Sequence, residues 1–498
     1  MDIYYELKRT AKQTIVYALG NASTKLAGLI LVPLYTKYLT VSEYGILGLI
    51  ELVLQFTIVF GGLGLAPALI RWHSLATSEE EKKKLLFTTT SATIGVGVIL
   101  FVISMLISGN LAESFFGSSS STQSAGEFLL YLRLTVLTAI LELLLLIPFS
   151  LLRVEERAFL FSILWIARFT VVVILSVILV AFHNLGIEGV LLSFLLSALL
   201  SFILMLPYLY KNSRLGLLSG ELKGMLRYGI PIMASSVAII VLNLGDRYLL
   251  KILSTLDSVG LYTLGYRIAG VINFLFVSSF ALGFYPAIFK FTDDAKAKLF
   301  LSKTLTYLTL VLFWTILALS LFAREILQLI VADPVYWGAE KVVFLLSMGF
   351  GFYGMFFIVS IVFYLQKRPG TISALVAGTV VLNIALNFLL IPRLDIVGAG
   401  LATVICYASM VLATIHFANK VYPVQYPWMR ILSVVALTTA FYGTSFLWRS
   451  SAMWTNVALD LLLTGSFPVV LYFAGFFEAE DLERLQAWLR RVFSSFTK

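Results

Sequence analysis

About fourteen apolar runs, each near or above the roughly 20 residues that a helix needs to cross a bilayer, follow one another along this chain. They begin near residues 14, 44, 86, 127, 158, 187, 229, 259, 304, 342, 371, 398, 430 and 455, and are counted below as spans one to fourteen. Strands that cross a membrane alternate in polarity over about ten residues, whereas these runs are continuous and long, so the spans are helices. With 60% hydrophobic and 13% charged residues and a mean hydropathy of +0.95 over 498 residues, the chain is far too apolar for a soluble domain. The expected fold is an all-α polytopic membrane protein.

Lysine and arginine set the orientation. Lys8, Arg9 and Lys12 precede a first run that is long, contains Lys25 and shows no small-residue cleavage site, so it reads as a retained helix rather than a signal peptide. With the N-terminus in the cytoplasm, the inside segments carry the clusters Lys82–Lys84, Arg153 and Arg157, Lys211 and Arg214, Lys296 and Lys298, Lys367 and Arg368, and Arg490 and Arg491. The outside ends hold only Lys37, Lys251, Arg324, Lys341, Arg393 and Arg449. Both termini are expected in the cytoplasm, and the net charge of +9 follows from topology without a nucleic-acid partner. The lone Cys406 lies in an apolar run, which excludes an intrachain disulfide and a thiol metal site. No cofactor or metal centre is expected.

Inside the spans stand five cations, Lys25, Arg133, Arg168, Arg247 and Arg267, against three acids, Glu51, Glu142 and Asp246. A charge at membrane depth costs on the order of 2.5 to 3.5 kcal/mol and persists where it faces a bundle interior, a wet cavity or a partner. Pairing every acid still leaves two cations over, so the space between these helices suits an anionic ligand. Lys25 lies about 16 Å into span one at 1.5 Å per residue, too deep to snorkel comfortably, and Asn21 and Thr24 share its wall. Arg168 either lines the cavity or pairs with Glu142. Asp246 and Arg247 are adjacent and point about 100° apart on a helix, so each needs its own partner. Arg247 is read as facing the ligand and Asp246 as holding Arg267 or Lys25, against an interhelical ion-pair network as the alternative. Arg133 and Arg267 sit in the outer third of their spans, and Glu51 is a candidate proton or sodium carrier.

The two halves resemble each other at a separation of about 210 to 215 residues, a spacing that marks parallel repeats. Leu39–Ile46 before span two matches Ser254–Leu261 before span eight, and Asn184–Gly189 between spans five and six matches Arg393–Gly398 between spans eleven and twelve. Parallel repeats imply two six-helix lobes with the substrate path between them. The division reads as a first lobe over residues 1–228, a second over 229–420, spans thirteen and fourteen over 421–477, and an amphipathic tail over 478–498. In that tail Leu482, Leu485, Trp488, Leu489, Val492, Phe493 and Phe496 recur at helical spacing, as in a helix lying on the cytoplasmic leaflet.

Several of these stretches together resemble the polysaccharide (O-antigen type) flippases of the multidrug/oligosaccharidyl-lipid/polysaccharide exporter superfamily. The carriers are Gly20-Asn21 to Pro33-Leu34-Tyr35 with Glu43-Tyr44-Gly45, then Asp246-Arg247-Tyr248-Leu249-Leu250, and Val259-Gly260-Leu261-Tyr262 with Tyr266-Arg267. The resemblance implies two six-helix lobes with two further helices, in the bacterial inner membrane. It also implies that undecaprenyl-pyrophosphate-linked oligosaccharide is turned from the cytoplasmic to the outer leaflet by alternating access, with a proton or sodium ion for coupling and polysaccharide polymerase or assembly proteins as partners. On that reading the spanning cations hold the pyrophosphate, and the apolar spans thirteen and fourteen shelter the polyprenyl tail. A lipid II flippase and an ion-coupled multidrug antiporter of the same superfamily are the alternatives, although an acidic cavity would suit the antiporter better. An integral-membrane glycan-processing enzyme is less well supported, because His73, His183 and His416 lie far apart and no Gly-Lys-Ser/Thr phosphate loop is present.

Overall fold

The computed structural model describes residues 28–116, 125–278, 280, 284, 288, 289, 291, 293–448 and 453–477. Twelve helices among them are long and apolar enough to cross a membrane, and no strand occurs among the described residues. One of the twelve, Pro369–Val421, would measure about 80 Å as a single rod, far more than the roughly 30 Å hydrocarbon core. It is two spans joined at Asp395, whose backbone leaves helical geometry (φ 51°, ψ −130°) shortly after Pro392. Spans two to fourteen are therefore all present. Span one, with Asn21, Thr24 and Lys25, lies outside the described residues up to Gly28, as do Gly283, Pro286 and the tail from Glu478 onward.

Apolar burial drives little association in lipid, where helix packing relies on small residues and interhelical hydrogen bonds. In the first part of the chain, span four (Ala125–Val154) packs on spans two, three and six. Span ten (Glu340–Leu365) packs on spans eight, nine and eleven–twelve, and it is the most buried helix of the second part. Hydroxyls within the helices bond back to the carbonyl four residues earlier, as Thr89, Thr93, Thr135 and Thr309 do, so they cost nothing at membrane depth.

The repeat seen in the sequence is a structural repeat at the ends of spans two and eight. Span two starts at Val41 behind a capping box of Thr40 and Glu43, and span eight starts at Leu256 behind Thr255, whose hydroxyl accepts from the Ser258 amide. Ser42 and Asp257, 215 residues apart, are bonded to each other at 2.5 Å. The two turns that the halves share, at Gly186 (φ 53°) and Asp395 (φ 51°), both adopt the left-handed conformation. Asp395 tolerates it because its carboxylate accepts from Ser254 at 2.5 Å and Ser258 at 2.9 Å.

Three breaks depart from straight spans. Leu63 and Gly64, both left-handed, divide span two into Val41–Gly62 and Leu65–Leu75. Span five ends in a π-helical stretch, Val177–Phe182, and span eight continues as another, Asn273–Ser278; such stretches mark bending points. Span seven (Ser219–Leu253) contains Pro231 and joins both parts of the molecule. Its Met225 lies in a cluster with Leu65, Leu69, Leu85 and Ile147, whereas its Leu249 and Leu250 lie with the residues of span eight.

Candidate functional site

Spans two and eight meet backbone to backbone on the face opposite the lysine-rich loops. A Cβ at Gly45 would stand 2.2 Å from the Leu256 carbonyl oxygen, and one at Gly260 would stand 2.1 Å from that of Val41. Only glycine fits either position. The contact is extended by Tyr336, which donates to the Leu39 carbonyl at 2.8 Å and stands edge-on to Tyr44 at 5.8 Å. On the lysine-rich face the approach is between spans two and seven, where a Cβ at Gly64 would stand 2.1 Å from the Gly229 carbonyl oxygen.

Between these two closures lie three of the charges singled out in the sequence. Arg247 is 1% exposed, with Nη1 3.4 Å from Glu51 Oε2 and the guanidinium 4.9 Å above the Tyr266 ring. Its Nε has no hydrogen bond among the described residues. Glu51 keeps 39% of its side chain exposed, so one end of this pair is desolvated and the other is open. Arg267 lies 5.1 Å from the Tyr44 ring and donates to the Gly28 carbonyl at 3.4 Å. Among the described residues both guanidiniums rest on aromatic faces and make only long polar contacts, so most of their donors are uncommitted there. Fork-shaped donors of this kind match the oxygens of a phosphate.

Asp246 turns the other way, as its place beside Arg247 requires. It is 2% exposed and accepts from neutral groups: Tyr262 Oη at 2.8 Å, Thr403 Oγ1 at 3.0 Å and Asn387 Nδ2 at 2.8 Å. The Asn387 amide also donates to Asn383 Oδ1 at 3.0 Å. Asp246 thus holds no cation among the described residues, and Arg267 is positioned by Tyr44 instead. Spans eleven and twelve carry no ionisable group at depth, so charge in the sequence does not mark them as part of the polar centre. Asn383, Asn387 and Thr403 show that neutral groups do this work, and the signal was present as two asparagines four positions apart on one helix face.

Asn383 also borders an inter-helix cavity of about 430 Å³ between spans two, four, seven and eleven, whose walls include Phe56, Thr57, Leu132 and Tyr248. Arg168 and Glu142 form a two-pronged ion pair of their own, with Nη1 to Oε2 at 2.8 Å and Nη2 to Oε1 closer still, flanked by Trp165 at 5.3 Å. Arg133 is exposed and has no hydrogen bond or ion pair among the described residues. No group of three or more histidine, cysteine, aspartate or glutamate side chains that could hold a metal ion occurs among them.

Residues 10–292 match a family model described as "Polysaccharide biosynthesis protein". No curated protein matches the chain. Among solved structures, the lipid II flippase MurJ in an inward closed conformation is similar with a TM-score of 0.75 at 17% identity, covering 92% of this chain and 99% of that one. An inward-facing multidrug resistance MATE family transporter of the MOP superfamily is similar with a TM-score of 0.61 at 16% identity, covering 84% and 96%. An outward-facing transporter of that family gives 0.56 at 15%, covering 86% and 96%.

Proposed function

This chain belongs to the polysaccharide biosynthesis protein family, and from that premise we propose that it flips an undecaprenyl-pyrophosphate-linked oligosaccharide from the cytoplasmic to the outer leaflet of the bacterial inner membrane. The observation that carries the reading is the pair Arg247 and Arg267, deep in a multi-pass membrane protein, seated on Tyr266 and Tyr44 and with guanidinium donors that only long contacts occupy among the described residues. A pyrophosphate supplies the oxygens those donors lack, and Glu51 releases Arg247 to it. Arg133 is a further cationic candidate for the headgroup, and Lys25, outside the described residues, is another. The Arg168–Glu142 pair braces spans four and five and does not bind the headgroup. The polyprenyl tail remains in the bilayer against spans thirteen and fourteen.

Alternating access then follows from the two closures. With the lysine-rich loops in the cytoplasm, the Gly45–Gly260 contact is the outer gate and the Gly64–Gly229 contact belongs to the inner one. A proton or sodium ion at Asp246, whose carboxylate is held by the Tyr262 and Thr403 hydroxyls and the Asn387 amide nitrogen, couples the cycle to an ion gradient. The fold shared with MurJ keeps lipid II as a second reading, since lipid II carries the same pyrophosphate link. The family model's description favours polysaccharide units.

Binding discriminates the headgroup. Purified protein is expected to gain thermal stability with an undecaprenyl-pyrophosphate oligosaccharide and not with undecaprenol, and to lose that gain in Arg247→Gln. Equal stabilisation by both lipids would overturn the proposal.

A further inference from the structure

A second cavity, of about 350 Å³ and lined by charged groups, lies at the lysine-rich end of the first lobe and belongs to no part of the inter-lobe path. Its lining comes from spans two, three, four and six and the turn into span five: His73, Glu79, Lys82, Lys83, Glu155, Arg157 and Asn212. The two acids are taken. Glu79 pairs with Lys82 at 2.6 Å, and Glu155 accepts from Arg157 at 2.8 Å and from Tyr208 at 2.6 Å. Lys83 and His73 are half-buried, and their side chains make no hydrogen bond among the described residues. The cavity therefore presents two uncommitted nitrogen donors, backed by Lys82 and Arg157, to whatever enters it.

The recess lies where these spans end in the lysine-rich loops, and Leu75, Phe159 and Tyr210, 69%, 75% and 87% exposed, lie at the same ends of spans two, five and six. A basic recess between the ends of membrane spans suits a ligand that is anionic at its head and hydrocarbon behind it. We propose that this recess binds the phosphodiester headgroup of an acidic membrane phospholipid, with Lys83 and His73 as its donors. The ligand also braces the inner closure. His73 sits on Leu65–Leu75 next to Trp72, whose Nε1 donates to Glu221 of span seven at 2.6 Å.

The test is thermal stability of the full chain in lipid nanodiscs of phosphatidylglycerol or phosphatidylcholine, and in detergent with inorganic phosphate. Phosphatidylglycerol alone is expected to stabilise the protein. Lys83→Gln should weaken the apparent affinity about fivefold, as for one lysine facing an anionic headgroup. Lys83→Arg should restore it, and Lys296→Gln, at an exposed lysine in the second lobe, should leave it unchanged. Equal stabilisation by phosphatidylcholine, or equal loss in Lys83→Gln and Lys296→Gln, would overturn the site. Stabilisation by inorganic phosphate alone would overturn the lipid assignment.

Discussion

At Arg247 the guanidinium spends one long contact on Glu51 and its face on Tyr266, so its chemistry depends on planarity as much as on charge. Arg247→Lys keeps the charge and loses the fork. Headgroup affinity, read as the ligand-dependent stability gain, is expected to fall about tenfold or more, the worth of one charge-assisted hydrogen bond of ~1.5–3 kcal/mol. Asp246 separates charge from shape. Asp246→Asn should fold and lose any dependence of transport on proton or sodium gradients. Asp246→Leu strips Tyr262, Thr403 and Asn387 of their shared acceptor and should cost about 1–3 kcal/mol of stability, measured by denaturation in detergent. The cations were legible in the sequence because charge inside an apolar run is conspicuous. Apart from Glu142 beside Arg168, their partners were not: Tyr266, Tyr44 and the donors around Asp246 are ordinary residues until folding brings them from distant spans.

Spans were readable from length and hydropathy, since a bilayer leaves a helix little freedom in either. Breaks within them were readable only in part: Gly61-Gly62, Gly64 and Pro67 mark span two as able to bend, and it breaks at Leu63-Gly64, whereas the π-helical stretches of spans five and eight carry no such signature. The meeting of spans two and eight was half visible as a sequence echo, and Gly45 and Gly260 give it a mechanism. Gly45→Val drives a side chain into the Leu256 backbone, so spans two and eight must part. In a Cys406→Ser background, the pair Ser42→Cys and Asp257→Cys is expected to cross-link readily, and adding Gly45→Val to reduce the yield severalfold. An unchanged yield would show that the outer contact does not close as described. Arg168 and Glu142 act at the same scale. Removing either partner leaves a mostly buried charge, with an expected cost of about 3–5 kcal/mol, and Arg168→Met with Glu142→Gln together should be milder than either alone in a double-mutant cycle.

The whole molecule is two helix bundles joined by contacts that one set of helices makes on both faces. Span two touches span eight at one end and span seven at the other, while span seven has Met225 in the first bundle and Leu250 in the second. Such helices transmit a change at one gate to the other, as rocking of two lobes about a fixed site requires. On the proposed function, the charged centre between the gates carries a pyrophosphate headgroup across the bilayer. The most direct test is transbilayer movement of an undecaprenyl-pyrophosphate oligosaccharide in proteoliposomes, comparing the intact chain with Arg247→Ala and Arg267→Ala after folding of each is checked. The account predicts movement by the intact chain and its loss in both variants. Absence of movement by the intact chain under proton and sodium gradients, or undiminished movement in folded variants, would contradict it.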